Sequence, residues 1–215
     1  DFTITSPTAV AFTTNPQNVK CKGSNTGNIS VTAQGGSGSY EYSKDGGATW
    51  QNSATFSGLV AGSYSVLVKD DSKGKGCIAI QGAKEIEITE PYEALAIAIV
   101  EKNDPIEHDG NQGNIEVSAS GGTGNLSFAW QNSFGSGIGS GAIISNLVGG
   151  SYTVTVTDAN ACSASRIISL TNPPVFSVSI ASVKGISCHG GSDAQLKAVV
   201  SGGRPVSPPR ATGTT

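Results

Sequence analysis

Four cysteines, two histidines and a scatter of loop carboxylates are the residues of this 215-residue chain that could do chemistry. The cysteines, Cys21, Cys77, Cys162 and Cys188, show no zinc-finger or redox-motif spacing, so cross-linking or free thiols are the chemistry on offer. His108 precedes Asp109 and His189 follows Cys188. Sequence neighbours of this kind do not make a nucleophile and base that meet in space. No G-x-S-x-G, phosphate-binding loop or zinc pattern is present, so no catalytic residue and no cofactor are expected. Asp70, Asp158 and Asn160, with Asp71 and Glu90, fall near segment ends where extracellular arrays hold calcium on oxygen ligands; the plainer reading is solvated loop carboxylates.

The elements that must position these residues repeat. Gly58 to Asp70, which contains Leu59, Tyr64, Val66 and Val68, returns as Asn146 to Asp158 with Leu147, Tyr152, Val154 and Val156. Apolar residues at every second position mark a strand with one buried face. Ile29, Val31 and the Gly35-Gly36 pair return as Ile115, Val117 and Gly121-Gly122, an offset of 86 residues. The segment occurs a third time as Ala194 to Gly203, with Leu196 and Gly202-Gly203 a further 81 residues on. A repeat of about 85 residues is long enough to hold its own core, unlike the roughly 20 to 45 residues of a solenoid repeat.

Composition narrows the class. With 29 glycines, 13% charged residues and no helical periodicity, the chain reads as many short strands joined by turns, an all-β protein. A net charge of −3 and a pI near 5.3 supply no basic stripe for nucleic acid. The apolar run Ala94 to Val100 is far shorter than the roughly 20 residues that span a bilayer, so no transmembrane segment is expected. The absence of methionine suggests a processed chain or an excised fragment. Low charge and cysteines at matching repeat positions point to export into an oxidising place.

In the first repeat, residues 1–91, the expected order is a split or edge strand A (Phe2, Ile4, Val10, Phe12, with Pro7 between), a turn at Asn15-Pro16-Gln17-Asn18, strand B over Ile29 to Ala33, strand C over Tyr40 to Tyr42, E over Thr55 to Leu59, F after Gly62, and a two-part G ending at Thr89. Ser43 to Trp50 resembles the Asp-box, S-x-D-x-G-x-T-W, a hairpin turn found in sialidases and other β-propellers. One copy predicts a hairpin closed by Asp45, with Trp50 packed on it. Tyr64 and Tyr152 resemble the tyrosine corner of immunoglobulin-like sandwiches and are expected to staple the E–F connection. The second repeat, residues 92–173, places Trp130 on strand C, and a partial third, 174–203, supplies strands A and B before an atypical tail, 204–215. Short linkers stiffened by Pro91 and by Pro173-Pro174 predict tandem immunoglobulin-like β-sandwiches in a rod.

Cys188-His189-Gly190-Gly191-Ser192-Asp193, the Gly-Gly after strand B, the Gly-Leu-x-Ala-Gly-Ser-Tyr segment, Asp158 to Cys162 and Ile88-Thr89-Glu90-Pro91 together resemble the SprB-type repeats of Bacteroidota cell-surface proteins. Such repeats are named after a gliding-motility adhesin and occur in tandem arrays of type IX-secreted proteins. The resemblance spans about residues 1 to 203 and implies an extracellular array of immunoglobulin-like domains; it implies no ligand. Glu107 stands where the second repeat's first cysteine would fall, and the tail departs altogether.

Cys21 and Cys188 lie between strands A and B, Cys77 and Cys162 between F and G. Those loops are expected at opposite ends of one sandwich, about 20 Å or more apart at roughly 3.3 Å per residue, against a disulfide Cα separation within about 7 Å. In a head-to-tail array the A–B loop of one repeat faces the F–G loop of the next, which predicts Cys21–Cys162; Cys21–Cys77 and free thiols stay open. The expected function is a non-catalytic structural and adhesive segment of an extracellular surface protein whose partners are neighbouring repeats and surface glycans or proteins. One alternative is an accessory module of a secreted polysaccharide-degrading enzyme, with Trp50, Trp130 or Tyr40 stacking on sugar. Another is a filament subunit assembled by strand complementation through the third repeat.

Overall fold

The computed structural model describes residues 8–70, the backbone of 77–78, and residues 82–203. Phe2, Ile4, Pro7, Asp71, the Cys77 side chain and the tail 204–215 lie outside the described residues. Every regular element described is a strand, so no helix is long and apolar enough to cross a membrane.

The first repeat contains β1 (Ala11–Gln17), β2 (Gly27–Gln34), β3 (Tyr40–Ser43), β4 (Thr55–Leu59), β5 (Gly62–Asp70), β6 (Cys77–Ile78) and β7 (Lys84–Ile88). One antiparallel sheet has the order β1-β2-β4. In the other, β3 pairs one edge of β5 while β6 and β7 pair its other edge in succession. Alternation then decides the core. Ile29 and Val31 of β2, Phe56 of β4, Val66 and Val68 of β5, and Ile86 and Ile88 of β7 join one buried cluster with Phe12 and Tyr42. Each such side chain contributes roughly 1.5 to 3 kcal/mol on full burial. This is an immunoglobulin-like sandwich with A, B and E facing C, F and G.

The second repeat contains β8 (Ala96–Asn103), β9 (Gly113–Ser120), β10 (Ser127–Asn132), β11 (Gly137–Gly139), β12 (Ile143–Leu147), β13 (Gly150–Thr157) and β14 (Ser163–Leu170). Its sheets have the orders β12-β9-β8 and β11-β10-β13-β14. Ile115, Val117, Trp130, Val154, Val156 and Ile168 fill its interior. The third repeat supplies β15 (Ser177–Lys184) and β16 (Gln195–Ser201), an antiparallel pair in which every residue is exposed.

Two details depart from the expected outline. Pro16 lies within β1 opposite Ile29 rather than in a turn; among the described residues β1 pairs only with β2, and an edge position tolerates a proline that has no N–H to give. The pairing of β4 with β2 skips Gly58, and that of β12 with β9 skips Asn146. Both skipped residues have positive φ, 70° and 60°, the left-handed conformation that glycine and asparagine adopt at a bulge. The repeated Gly/Asn-Leu start of the motif is therefore a strand-bending device.

By compactness the chain divides into two units. One runs to Ala96 and takes in Ser120–Asn125 and Asp158–Cys162; the other comprises Ile97–Ala119, Leu126–Thr157 and the chain from Ser163 onward. Both Cys21 and Cys162 belong to the first unit.

Candidate functional site: the Cys21–Cys162 cross-link and its loops

Cys21 sits at the start of a turn, its carbonyl accepting from Ser24 N–H at 3.0 Å. The loop is tied to the end of β7 on both sides. Val19 N–H donates to Thr89 O at 2.9 Å, and Thr89 N–H donates back to Asn18 Oδ1 at 3.0 Å. Gly23 N–H donates to Glu90 Oε2 at 2.6 Å, and Lys22 Nζ pairs with Glu90 Oε1 at 2.6 Å. The Lys22 ammonium, with Gly23 N–H, holds the Glu90 carboxyl below its usual range. The second repeat reproduces this tie with other residues. Thr171 N–H donates to Asp104 Oδ1 and Asp109 N–H to Asn172 Oδ1, both at 2.9 Å, and His108 Nδ1 donates to Pro173 O at 2.6 Å. His108 thus serves as a loop clasp.

Cys162 closes the tight turn that begins at Asp158. Asp158 N–H donates to Cys162 O at 2.9 Å, and Ala161, at φ 64°, turns the chain with its N–H on Asp158 O at 3.1 Å. The Asp158 carboxylate, 6% exposed, accepts from Cys162 N–H at 2.8 Å and Asn160 N–H at 2.9 Å on Oδ1, and from Thr123 N–H at 2.8 Å on Oδ2. Burial works to raise its pKa, but the donors Cys162, Thr123 and Asn160 outweigh that and keep the carboxyl below its usual value. The turn holds Cys162 against Cys21, and the two form a disulfide with Cα atoms 5.6 Å apart across 141 residues of sequence. Asn160 Nδ2 donates to Lys20 O at 3.3 Å beside the bond.

Asp70 plays the part of Asp158 in the first repeat. Ser37 N–H donates to Asp70 Oδ2 at 2.7 Å, and the Ser37 hydroxyl also bonds the carboxylate. The Gly-Gly pair before it is needed because the chain passes so close to its neighbour. A Cβ on Gly35 would lie 2.2 Å from Ala9 O, and one on Gly121 would lie 2.1 Å from Ala94 O. Gly-Gly and the distant aspartate are thus two halves of one turn lock. The calcium candidates Asp70 and Asp158 meet N–H donors in this way, and among the described residues no three His, Cys, Asp or Glu side chains gather as metal ligands.

Asp45 anchors the hairpin between Tyr42 and Gln51, whose backbones bond in both directions at 2.8 and 2.9 Å. It accepts from Ser43 Oγ at 2.7 Å, from Thr49 N–H at 2.8 Å and from the Thr49 hydroxyl. The Thr49 hydroxyl first, then Thr49 N–H and Ser43, hold its pKa at about 2. Trp50 Nε1 donates to Gly47 O at 3.0 Å, and Lys69 Nζ stands 4.5 Å over the indole while pairing with Glu41. In the second repeat Asn132 Oδ1 takes over, accepting Phe134 and Ser136 N–H, both at 3.0 Å. Trp130 is 1% exposed and its indole N–H donates to Gly141 O at 3.0 Å, so it presents no face to a ligand. The Tyr64 and Tyr152 hydroxyls donate to Val60 O and Val148 O at 3.0 and 2.8 Å, bridging the turns between β4 and β5 and between β12 and β13.

The turn lock, the tied A–B loop and the hairpin lie within or beside one stretch of the first repeat. Residues 13–49 match the SprB repeat. The resemblance seen in the sequence is borne out there, and the SprB match runs from within β1 through β2 and β3 into the Asp45 hairpin. No curated protein matches the chain. Among solved structures, three N-terminal domains of the outer capsid protein Hoc of bacteriophage RB49 are similar at 16% identity, covering 90% of this chain and 68% of that one, with a TM-score of 0.42. Fibronectin(III)-like modules of Clostridium thermocellum CbhA are similar at 17% identity, 67% and 84% coverage and a TM-score of 0.33. The Dpr2 Ig1-Ig2 chain in complex with DIP-Theta is similar at 12% identity, 80% and 70% coverage and a TM-score of 0.29.

The sequence had shown Asp70 and Asp158 as loop carboxylates without their partners. Their signal was present: each follows the Tyr-x-Val-x-Val strand of its repeat, with a Gly-Gly standing upstream in both, Gly35-Gly36 and Gly121-Gly122. Asn18 and Asp104, which fasten the A–B loops, carried no signal beyond standing at equivalent places.

Proposed function

We propose that this chain is a non-catalytic structural segment of an extracellular cell-surface protein of a Bacteroidota bacterium, in which tandem SprB-type repeats carry an adhesive region away from the cell. The observation that supports this best is the disulfide from the A–B loop of the first repeat to the F–G loop of the second. A bond placed between repeats resists extension, and disulfides persist in oxidising surroundings outside the cytosol. Its partners are neighbouring repeats and surface glycans or proteins. Antibodies raised against residues 8–203 are expected to label intact cells of the source organism and to lose that label after brief protease treatment. Labelling that requires lysis would sink the surface assignment.

The β15–β16 pair favours a second reading, assembly of a filament by strand addition. Ile180 and Leu196, each 71% exposed, belong to strands whose equivalents in the first two repeats face a second sheet and carry a third strand beside B. Light scattering on the intact chain and on a chain cut after Asn172 separates the two readings. Polymers that vanish on truncation support the filament, and monomers in both samples remove it.

A further inference from the structure

Cys188 is the cysteine left free and exposed among the described residues. It occupies the same place in the third repeat as Cys21 in the first, and the loop geometry agrees. Cys21 O accepts from Ser24 N–H at 3.0 Å, Cys188 O from Gly191 N–H at 2.9 Å, and Glu107 O, at the corresponding place in the second repeat, from Gly110 N–H at 3.1 Å. One turn therefore presents one side-chain position in all three repeats, and in the first that position is disulfide-bonded to an F–G loop. The F–G side of the first repeat carries a cysteine too. Cys77 stands opposite Asp70 in the β5–β6 register, as Cys162 stands opposite Asp158 across its turn.

We propose that Cys188 is a cross-linking site whose partner is the F–G-loop cysteine of a further repeat, supplied in a preparation of this chain alone by Cys77 of a second copy. Cys21–Cys162 is then one rung of a ladder running from the A–B loop of each cysteine-bearing repeat to the F–G loop of the next. Cys188 and Cys77 are its unfilled half-rungs, and Glu107 leaves the rung after the second repeat unmade. Forming a rung removes two electrons and two protons from two thiols. A disulfide oxidant such as oxidised glutathione takes them up, passing through a mixed disulfide and leaving as two thiols. The inference rests on the chain being exported to an oxidising place.

The test uses the full chain in a glutathione redox buffer, followed by non-reducing electrophoresis and mass spectrometry of the cross-linked peptides. The expected result is disulfide-linked multimers in which Cys188–Cys77 peptides exceed the statistical share of a random mixture with Cys188–Cys188 and Cys77–Cys77. Cys188→Ser and Cys77→Ser should each abolish those multimers and leave Cys21–Cys162 intact. Random or symmetric pairing, an intramolecular Cys77–Cys188 bond, or monomers with both thiols open to alkylation would each overturn the inference. Failure of the exported reading looks different: all four thiols would be found reduced in protein trapped directly from its source cells.

Discussion

Cutting the Cys21–Cys162 bond, by Cys21→Ser or by reductant, is expected to lower the free energy of unfolding by roughly 3 to 5 kcal/mol. The bond spans 141 residues, so in the unfolded chain it closes a loop that contains nearly all of the first two repeats. Loop-closure entropy grows only logarithmically with length, which places a loop this long near the top of that range. The full effect belongs to unfolding of both repeats. When one remains folded, part of the loop is already ordered and a smaller share is felt. Urea unfolding of the Cys77→Ser/Cys188→Ser chain, with and without reductant, measures the difference free of thiol–disulfide exchange. A lower midpoint on reduction is expected, with the later transition moved most. Superimposable curves would mean that the hydrogen bonds of the loops, such as Asn160 to Lys20, hold the site without help from the bond.

Trp130→Ala is expected to cost about 3 to 5 kcal/mol, the range for removing a large aromatic from a packed core. Trp130 is the largest fully buried side chain among the described residues, and its loss also removes the indole N–H bond to Gly141 O. Against a typical domain stability of about 5 to 15 kcal/mol, this is enough to leave the second repeat marginal. The first repeat has a separate buried cluster around Ile29, Val66 and Val68 and keeps its own reporter, Trp50. Calorimetry should show one transition falling by many degrees, while the transition followed by Trp50 fluorescence stays within a few degrees of its original place. Simultaneous collapse of both transitions would show that the repeats are one cooperative unit. An unchanged scan would show that the cavity closes over.

The placement of Pro16, by contrast, depended on the tertiary structure. A proline after Asn15 reads as a turn, and only the place of β1 at the edge of its sheet among the described residues explains why the strand runs through it. The Asp45 hairpin was legible because its parts lie within eight residues, close enough for one turn geometry to satisfy them all.

What the sequence determined by itself was the class and the plan: all-β, two whole repeats and the start of a third. Period-two alternation and recurring turn residues are local signals, and each repeat states them again. The tertiary structure decided what depends on residues far apart. A loop aspartate looks the same in sequence whether it meets water, a cation or a row of N–H groups. That Ser37 N–H donates to Asp70 and Thr123 N–H to Asp158 shows only once the two turns are seen to lie upon those carboxylates. The same holds for the cysteines. The ends of a sandwich favour some cysteine pairs over others, but a bond across 141 residues exists only because folding brings the two Cα atoms to 5.6 Å, a distance that no local pattern encodes.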